Sequence, residues 1–593
     1  MNHDMTHGPV MRSMLLFAVP MILGNLLQQG YNIADTFIVG QFLGANALAA
    51  VGSAFTLMTF LTSILLGLCM GSGNVFSIRF GERNEKALKE SICASFVLIA
   101  GLAILLNLLA FACLEQISVL LQVPAEVWGL MCEYLKVIFC GIFATFLYNY
   151  FASFLRAMGN SLVPLIFLGV SAVLNIALDL FFVLGLSWGV TGAAAATVLS
   201  QYVSGIGIAI YALLHCPELR VLKSRFRVTR SCIREITNFS FLTCIQQSVM
   251  NLGILMVQGL VNSFGPTIMA AFAAAVKIDA FAYMPVQDFG NAFSTFISQN
   301  YGAQKEDRMR RGLKGALLAS AAFSIFVSAI VWIFARPLME LFVGKKEPSI
   351  VMEGIRYLHI EGTFYFAIGC LFLLYGLYRA LGKPGMSVVL TFLSLGTRVV
   401  LAYILSAIPS IGVVGIWWAI PIGWFLADAV GLIYYIICRK KIIYQTRVKI
   451  HEKSSLMMGF WLVCLGIFIQ NACKHLAGYY PLNSYDISIA LVNIFSDIFT
   501  EPYHNCNYST CHSRQNKLRI QGSFLNDICP LCVAKRRDIF QKFRLFRDIC
   551  NNIQEIHHRS KTKSNPQTTA AQKSRYTKAN TCQFQLHQEI CGM

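Results

Sequence analysis

Asp35 and Asp179 place carboxylates inside stretches that are otherwise apolar, Asp35 beside Gln28, Gln29, Asn32 and Thr36 and Asp179 beside Asn175. Asn175 and Asp179 are four residues apart, one helical turn on a common face. Thr197 follows eighteen residues after Asp179 across a tight, glycine-containing turn, which sets it at a similar depth on an antiparallel neighbour. Two carboxylates, an amide and a hydroxyl form an oxygen-rich cup. A proton on one carboxyl, or a small hard cation held by oxygen ligands, would neutralise it. Placing charge at the centre of a membrane helix costs at least about 2.5–3.5 kcal/mol, so such residues mark an ion or substrate path.

The surrounding chain supplies the elements that must carry this cup. Of 593 residues, 56% are hydrophobic and 13% charged, and the mean hydropathy is +0.60, which excludes an ordinary soluble domain. A helix of about 20 apolar residues crosses the hydrocarbon layer. Twelve such segments are predicted, at about 14–38, 47–72, 91–113, 133–154, 163–185, 189–213, 239–263, 269–297, 315–338, 358–377, 386–408 and 412–438. The fold class is therefore all-α and polytopic, two six-helix bundles in parallel repeat followed by a polar C-terminal tail. The first apolar segment is long, carries polar residues and leads directly into the next, so it reads as a spanning helix rather than a cleaved signal.

The two bundles are copies. Arg79-Phe80-Gly81-Glu82-Arg83-Asn84-Glu85-Lys86 returns as Asn300-Tyr301-Gly302-Ala303-Gln304-Lys305-Glu306-Asp307, an offset of 302 − 81 = 221. Phe154-Leu155-Arg156-Ala157-Met158-Gly159-Asn160 returns as Leu377-Tyr378-Arg379-Ala380-Leu381-Gly382-Lys383 at an offset of 379 − 156 = 223, as does Gly189-Val190-Thr191-Gly192 in Gly412-Val413-Val414-Gly415. A duplicated apolar chain points to a transporter with its substrate path between repeats. The expected organisation is an N-terminal lobe at 1–218, a C-terminal lobe at 219–455, an extra apolar helix at 456–480 and a basic, Cys-rich, disordered tail at 481–593.

The net charge of +19 does not indicate nucleic acid, because Lys and Arg gather in alternate loops, at 79–89, 220–234, 305–314 and just after the twelfth segment. The loops at 41–46, 114–132, 186–188, 264–268 and 409–411 contain neither residue, and only 336–356 breaks the pattern. By the positive-inside rule both ends of the bundle are cytoplasmic in the plasma (inner) membrane, and both repeats predict the same sidedness. Membrane lipid and small-molecule substrates are the expected partners, and a monomer the expected state.

The cup is not duplicated. Asn175 maps onto Arg398, Asp179 onto Ala402 and Asp35 onto Met256. The second lobe carries Lys277, Asp279, Glu361, Arg398 and Asp428 instead, which could pair across helices or line a substrate cavity. Gln28, Asn32, Asp279, Glu361 and Arg398 are the candidate cavity residues. In the tail, Cys506, Cys511, Cys529 and Cys532 with His504 and His512 have the donors for a zinc site, but no knuckle glycines or strands frame them, and an unstructured tail is the favoured reading. Lys535-Arg536-Arg537 reads as a solvated charge run. The abrupt change of texture is of the kind a fusion or shifted frame produces.

Pro20-Met21-Ile22-Leu23-Gly24-Asn25-Leu26-Leu27-Gln28-Gln29 with Asp35-Thr36-Phe37-Ile38-Val39-Gly40, Arg156-Ala157-Met158-Gly159-Asn160, and Trp188-Gly189-Val190-Thr191-Gly192-Ala193-Ala194-Ala195-Ala196-Thr197 resemble signatures of the multidrug and toxic compound extrusion (MATE) transporters. The likeness extends from about residue 10 to 440. The acidic pattern resembles the DinF-like branch, which implies cation coupling at Asp35, Asn175, Asp179 and Thr197. If the ion is Na+, these four would be its ligands; if it is H+, the carboxyls carry it. No organic cofactor is implied. The seventh segment has Gln246 and Gln247 and no carboxylate, and the tenth has none in the middle of its predicted run, a departure from the NorM-like branch. The expected function is antiport, exporting amphipathic and chiefly cationic small molecules against H+ or Na+. A lipid-linked oligosaccharide flippase of the same superfamily is the alternative, kept open by Arg398 and Lys277. An intramembrane enzyme would need a constellation such as His-Glu-x-x-His, which the segments lack.

Overall fold

A left-handed backbone residue recurs at the same place in each repeat, and these pairs punctuate the fold. Gly44 and Gly265 (φ 85° and 95°), Arg83 and Gln304 (53° and 55°), Gly159 and Gly382 (86° and 74°), and Gly189 and Gly412 (59° and 53°) end or begin equivalent helices. The computed structural model describes residues 4–114, 125–219, 228–344 and 347–443. The apolar run at 456–470, the Cys/His set at 504–532 and the basic run at 535–537 lie outside the described residues.

The first repeat comprises α1 (Val10–Leu43), α2 (Ala45–Gly81), α3 (Glu85–Ala112), α4 (Ala125–Phe139), α5 (Ile142–Ala157), α6 (Leu162–Asp179) and α7 (Gly189–His215). The second comprises α8 (Arg230–Asn262), α9 (Pro266–Gly302), α10 (Glu306–Val343), α11 (Pro348–Gly362), α12 (Tyr365–Ala380), α13 (Pro384–Ser406) and α14 (Val414–Ile443). No strand occurs among the described residues. Ten helices are long and apolar enough to span a membrane, and two bent pairs bring the number to twelve.

The bent pairs are α4 with α5, at 45°, and α11 with α12, at 51°. The break recurs at the repeat offset, so the bend is part of the duplicated frame. It also corrects the predicted boundaries. The fourth and tenth spans begin at Ala125 and Pro348 rather than near 133 and 358, because the polar residues before each bend lowered the local hydropathy. The ninth span likewise runs over Glu306–Val343, which places Arg336 inside a helix rather than in the loop that broke the charge pattern.

Within each lobe the same pairs pack: α1 on α6 and α8 on α13, α6 on α7 and α13 on α14, α2 on α5 and α9 on α12. The first helix of each repeat also reaches across the seam. Met14, Phe17, Ala18 and Met21 of α1 join Phe289, Phe293, Phe296 and Leu377 of the second lobe in one buried apolar cluster. Ile236, Phe239 and Cys244 of α8 reciprocate in the core of the first lobe. Small residues let the backbones meet, as is usual where membrane helices pack closely. A Cβ on Gly71 would collide with the backbone of Phe239 and Ser240.

The seam is sealed at the end that bears the basic loops. Arg79 pairs with Glu235 across it, Gln299 donates to the carbonyl of Ala157 at 2.8 Å, and the hydroxyls of Ser72 and Ser240 lie 2.8 Å apart. Residues 4–8 form a strap over the same end. Met5 is fully buried, its N–H donates to Gln299 Oε1 at 3.0 Å, and the Arg308 guanidinium donates to the carbonyls of Met5, His7 and Gly8. Lys305 adds a bond to the carbonyl of Thr6 at 2.8 Å. Cys69, Cys93, Cys113, Cys140, Cys216, Cys232 and Cys244 are free thiols.

Candidate functional site

α6 ends at Asp179, and the chain then widens into a π-helical turn over Leu180–Gly185, a local form that often marks functional positions. Trp188 stacks on Phe182, with ring centroids 5.0 Å apart, and a Cβ on Gly192 would press on both. Ser187 accepts φ +55° to close this corner. The result fixes Asp179 in the interior, fully buried, one turn above buried Asn175.

The four cup residues predicted from sequence come together. Asn175 Nδ2 donates to Thr197 Oγ1 at 3.3 Å, and the Thr197 hydroxyl donates to the carbonyl of Ala193 at 3.1 Å. Asp35 of α1 brings its carboxyl against that of Asp179. Asp35 Oδ1, Asn175 Oδ1 and both carboxyl oxygens of Asp179 are buried without a hydrogen-bond donor among the described residues. Buried acceptors normally find a donor, and like charges this close cannot both persist. The oxygen set therefore fits a shared proton or a small alkali cation, and Asp35, Asn175, Asp179 and Thr197 would hold either. No group of three or more His, Cys, Asp or Glu suited to a metal occurs among the described residues. Buried Tyr134 of α4 lies near both carboxyls, a neighbour of the cup that no charge signal in the sequence announces.

The candidate cavity residues divide. Gln28 and Asn32 lie on α1 in the first lobe, whereas Asp279 of α9, Glu361 of α11 and Arg398 of α13 gather inside the second, with Tyr283 and Tyr365. Arg398 lies near both carboxylates yet makes no ion pair within 4.0 Å among the described residues, and its Nε is buried without an acceptor. Glu361 stands next to the bend of the tenth span, since that span runs 348–380; the tenth span thus carries a carboxylate at its middle, contrary to the reading of the apolar run. Lys277 is exposed, and Asp428 is fully buried with both oxygens unpartnered.

A second polar site lies in the seam. A cavity of about 140 Å³ is lined by Asn25, Asn74, Arg156, Asp288, Asn291 and Arg379, among others. Asn25 Nδ2 donates to Asp288 Oδ2 at 2.6 Å, and Arg379 Nη2 to Asn291 Oδ1 at 2.9 Å. Arg156 and Arg379 are repeat equivalents, 223 residues apart. Asp288 carries its charge in the middle of an apolar segment, a signal of the same kind as Asp35 and Asp179.

The MatE family model matches residues 20–181 and 240–404, one stretch in each repeat. The probable multidrug resistance protein YpnP of Bacillus subtilis (strain 168) is 30% identical over 440 residues, 73% of this chain and 96% of that protein. The multidrug export protein MepA of Staphylococcus saprophyticus is 25% identical over 437 residues, 72% of this chain and 94% of its own. Among solved structures, a multidrug resistance MATE family transporter of the MOP superfamily in an outward-facing conformation superposes with a TM-score of 0.70 at 22% identity, covering 74% of this chain and 98% of that one. A MOP superfamily transporter from Pyrococcus furiosus gives 0.69 at 23% identity, over 75% and 98%. With a family match in each repeat and a relative aligned along nearly its whole length, this chain belongs to the MatE family of membrane transporters.

Proposed function

We propose that the protein is a secondary active antiporter that exports amphipathic small molecules in exchange for H+ or Na+. It is an integral membrane transporter and not an enzyme; its relatives are named as multidrug resistance and export proteins. Coupling at the first-lobe cup rests on one observation, the juxtaposed carboxyls of Asp35 and Asp179 with their unpartnered oxygens. A bound cation shifts the balance between two states only through a difference in affinity for them. Asp35 sits on α1, whose first half packs on the other lobe, so neutralising the cup changes the energy of a helix that touches both lobes.

The basic loops support cytoplasmic placement of the sealed end in the plasma (inner) membrane. The state described is then closed to the cytoplasm. Both cup carboxylates fall in the first repeat, which supports the DinF-like branch, and a single chain carries both lobes, which supports a monomer. Relatives named as multidrug exporters give the flippase alternative no support. The test is efflux of a fluorescent dye from everted vesicles under an imposed H+ or Na+ gradient. Dye movement that follows either gradient in the intact protein and stops in Asp35→Asn is the expected result; movement independent of both gradients would defeat the coupling.

A further inference from the structure

We infer that the seam cavity is a docking site for the carboxylate end of a zwitterionic substrate, with Arg156 and Arg379 as its anion clamp and Asp288 as its partner for the substrate's ammonium. The inference rests on the efflux reading for the identity of the ligand as cargo, but its residues and its test are separate from the ion cup. Arg156 and Arg379 stand at the same position of the two repeats, on the last turns of α5 and α12, and both line one cavity. Duplication has thus brought two like charges to a shared space at the seam. Only one carboxylate, Asp288, faces them there, leaving a net charge of +1.

The guanidiniums are short of acceptors. Arg379 is 4% exposed, its one side-chain bond among the described residues goes to a neutral amide, Asn291, and its Nε is buried with no acceptor among them. The Nε of Arg156 is buried and unpartnered too, and no ion pair joins either arginine to Asp288 among the described residues. Burying a guanidinium with its donors unmet is costly. A planar anion that takes two parallel N–H bonds removes that cost, which is the geometry a carboxylate offers. Asn25 holds one oxygen of Asp288, and Asp288 remains the one carboxylate lining the cavity that a cationic group could meet.

Size narrows the ligand. A pocket that encloses a drug-sized molecule measures about 300–1,000 Å³, whereas this one is about 140 Å³. It fits a charged head group and leaves the apolar body outside. The repeat symmetry also explains why the head group must carry both signs. Asp288 has no counterpart in the first repeat, where Gly67 stands at the equivalent position, so the two-fold arginine pair is broken by one carboxylate on one side.

Two dyes that differ at a single group test this. Rhodamine 110 carries a free carboxylate, and rhodamine 123 is its methyl ester. Binding of each to the purified full chain is read by fluorescence anisotropy, in intact protein and in the Arg156→Gln, Arg379→Gln and Arg379→Lys variants. The intact protein is expected to prefer the acid, and each Gln variant to lower the acid-to-ester preference by about tenfold, the loss typical of a charge-assisted bond. Arg379→Lys, which keeps charge without the fork, should restore part of it. Because preference is a ratio within one preparation, a partly unfolded variant does not distort it. An intact protein that binds neither dye or shows no preference for the acid, or a preference that survives both Gln substitutions, would overturn the inference. Gradient-driven efflux of the ester alongside an unaltered preference would leave the antiport reading standing while this one falls. A lost preference with no gradient-driven movement of either dye would do the reverse.

Discussion

Gly81 and Gly302 each lie against the backbone carbonyl three residues before the other: a Cβ on Gly81 would strike the carbonyl of Gln299, and one on Gly302 that of Ile78. The two contacts are images of each other under the repeat, because Gln299 and Ile78 are also 221 residues apart (299 − 78 = 221). The basic-loop end of the seam is thus an internal two-fold contact in which two backbones touch with no side chain between them.

Adding a methyl group there should weaken the seal. Gly81→Ala and Gly302→Ala are each expected to cost the closed state about 1–3 kcal/mol, the usual penalty for overpacking. Once the lobes have separated to admit one methyl, the second fits at little further cost, so the double variant should lose less than the sum of the singles. Thermal-shift measurement on the purified protein reads this; full additivity would show that the two contacts yield independently.

The cup predicts a different pattern. Asp35→Asn and Asp179→Asn should each abolish gradient-driven dye efflux while leaving the protein in the membrane. The double variant should be no worse than either single, since the two carboxyls act as one site. Efflux retained by both single variants would rule out coupling there.

In the second lobe, Arg398 offsets two buried carboxylates, Asp279 and Glu361. Arg398→Met leaves them uncompensated and should destabilise the protein by about 3–5 kcal/mol. Adding Asp279→Asn and Glu361→Gln removes the charges that need the arginine, and should recover most of the loss. The yield of monodisperse protein on size exclusion checks both steps.

The strap over the sealed end should respond to acid. Burial pushes the Asp4 carboxyl up, but hydrogen bonds from Thr6 and His7 outweigh it and hold the group below its ordinary value of 3.8. A carboxylate depressed in the folded state contributes stability that is present above its unfolded pKa and lost as pH falls through the folded one. Protection of the strap from proteolysis should therefore hold at neutral pH and fail only below about pH 4. Asp4→Asn should remove that acid step, and Arg308→Ala, which strips donors from three carbonyls, should expose the strap at every pH. A strap equally protected in all three proteins would show that neither Asp4 nor Arg308 holds it in place.

The sequence by itself determined the membrane class, the twelve spans, the duplication and four residues of the cup, Asp35, Asn175, Asp179 and Thr197. Each of these follows from local rules. An apolar run of fixed length has few fates in a bilayer, a repeated motif keeps its register, and residues four apart share a helical face whatever surrounds them. The cost of intramembrane charge then picked out Asp35 and Asp179 before any neighbour was known.

Tertiary structure decided which distant charges meet. Arg156 and Arg379 each stand in the last turn of a helix, and their common cavity exists only after the lobes close on each other. Glu361 came to the middle of its span only once the bend joined α11 to α12, since hydropathy falls at a bend as it does at a helix end. Asp279, Glu361 and Arg398 became a group inside one lobe because helix packing and not sequence spacing sets which faces converge. The swap of α1 and α8 across the seam is likewise a property of three-dimensional packing: an apolar face is legible in a sequence, but the lobe that buries it is not.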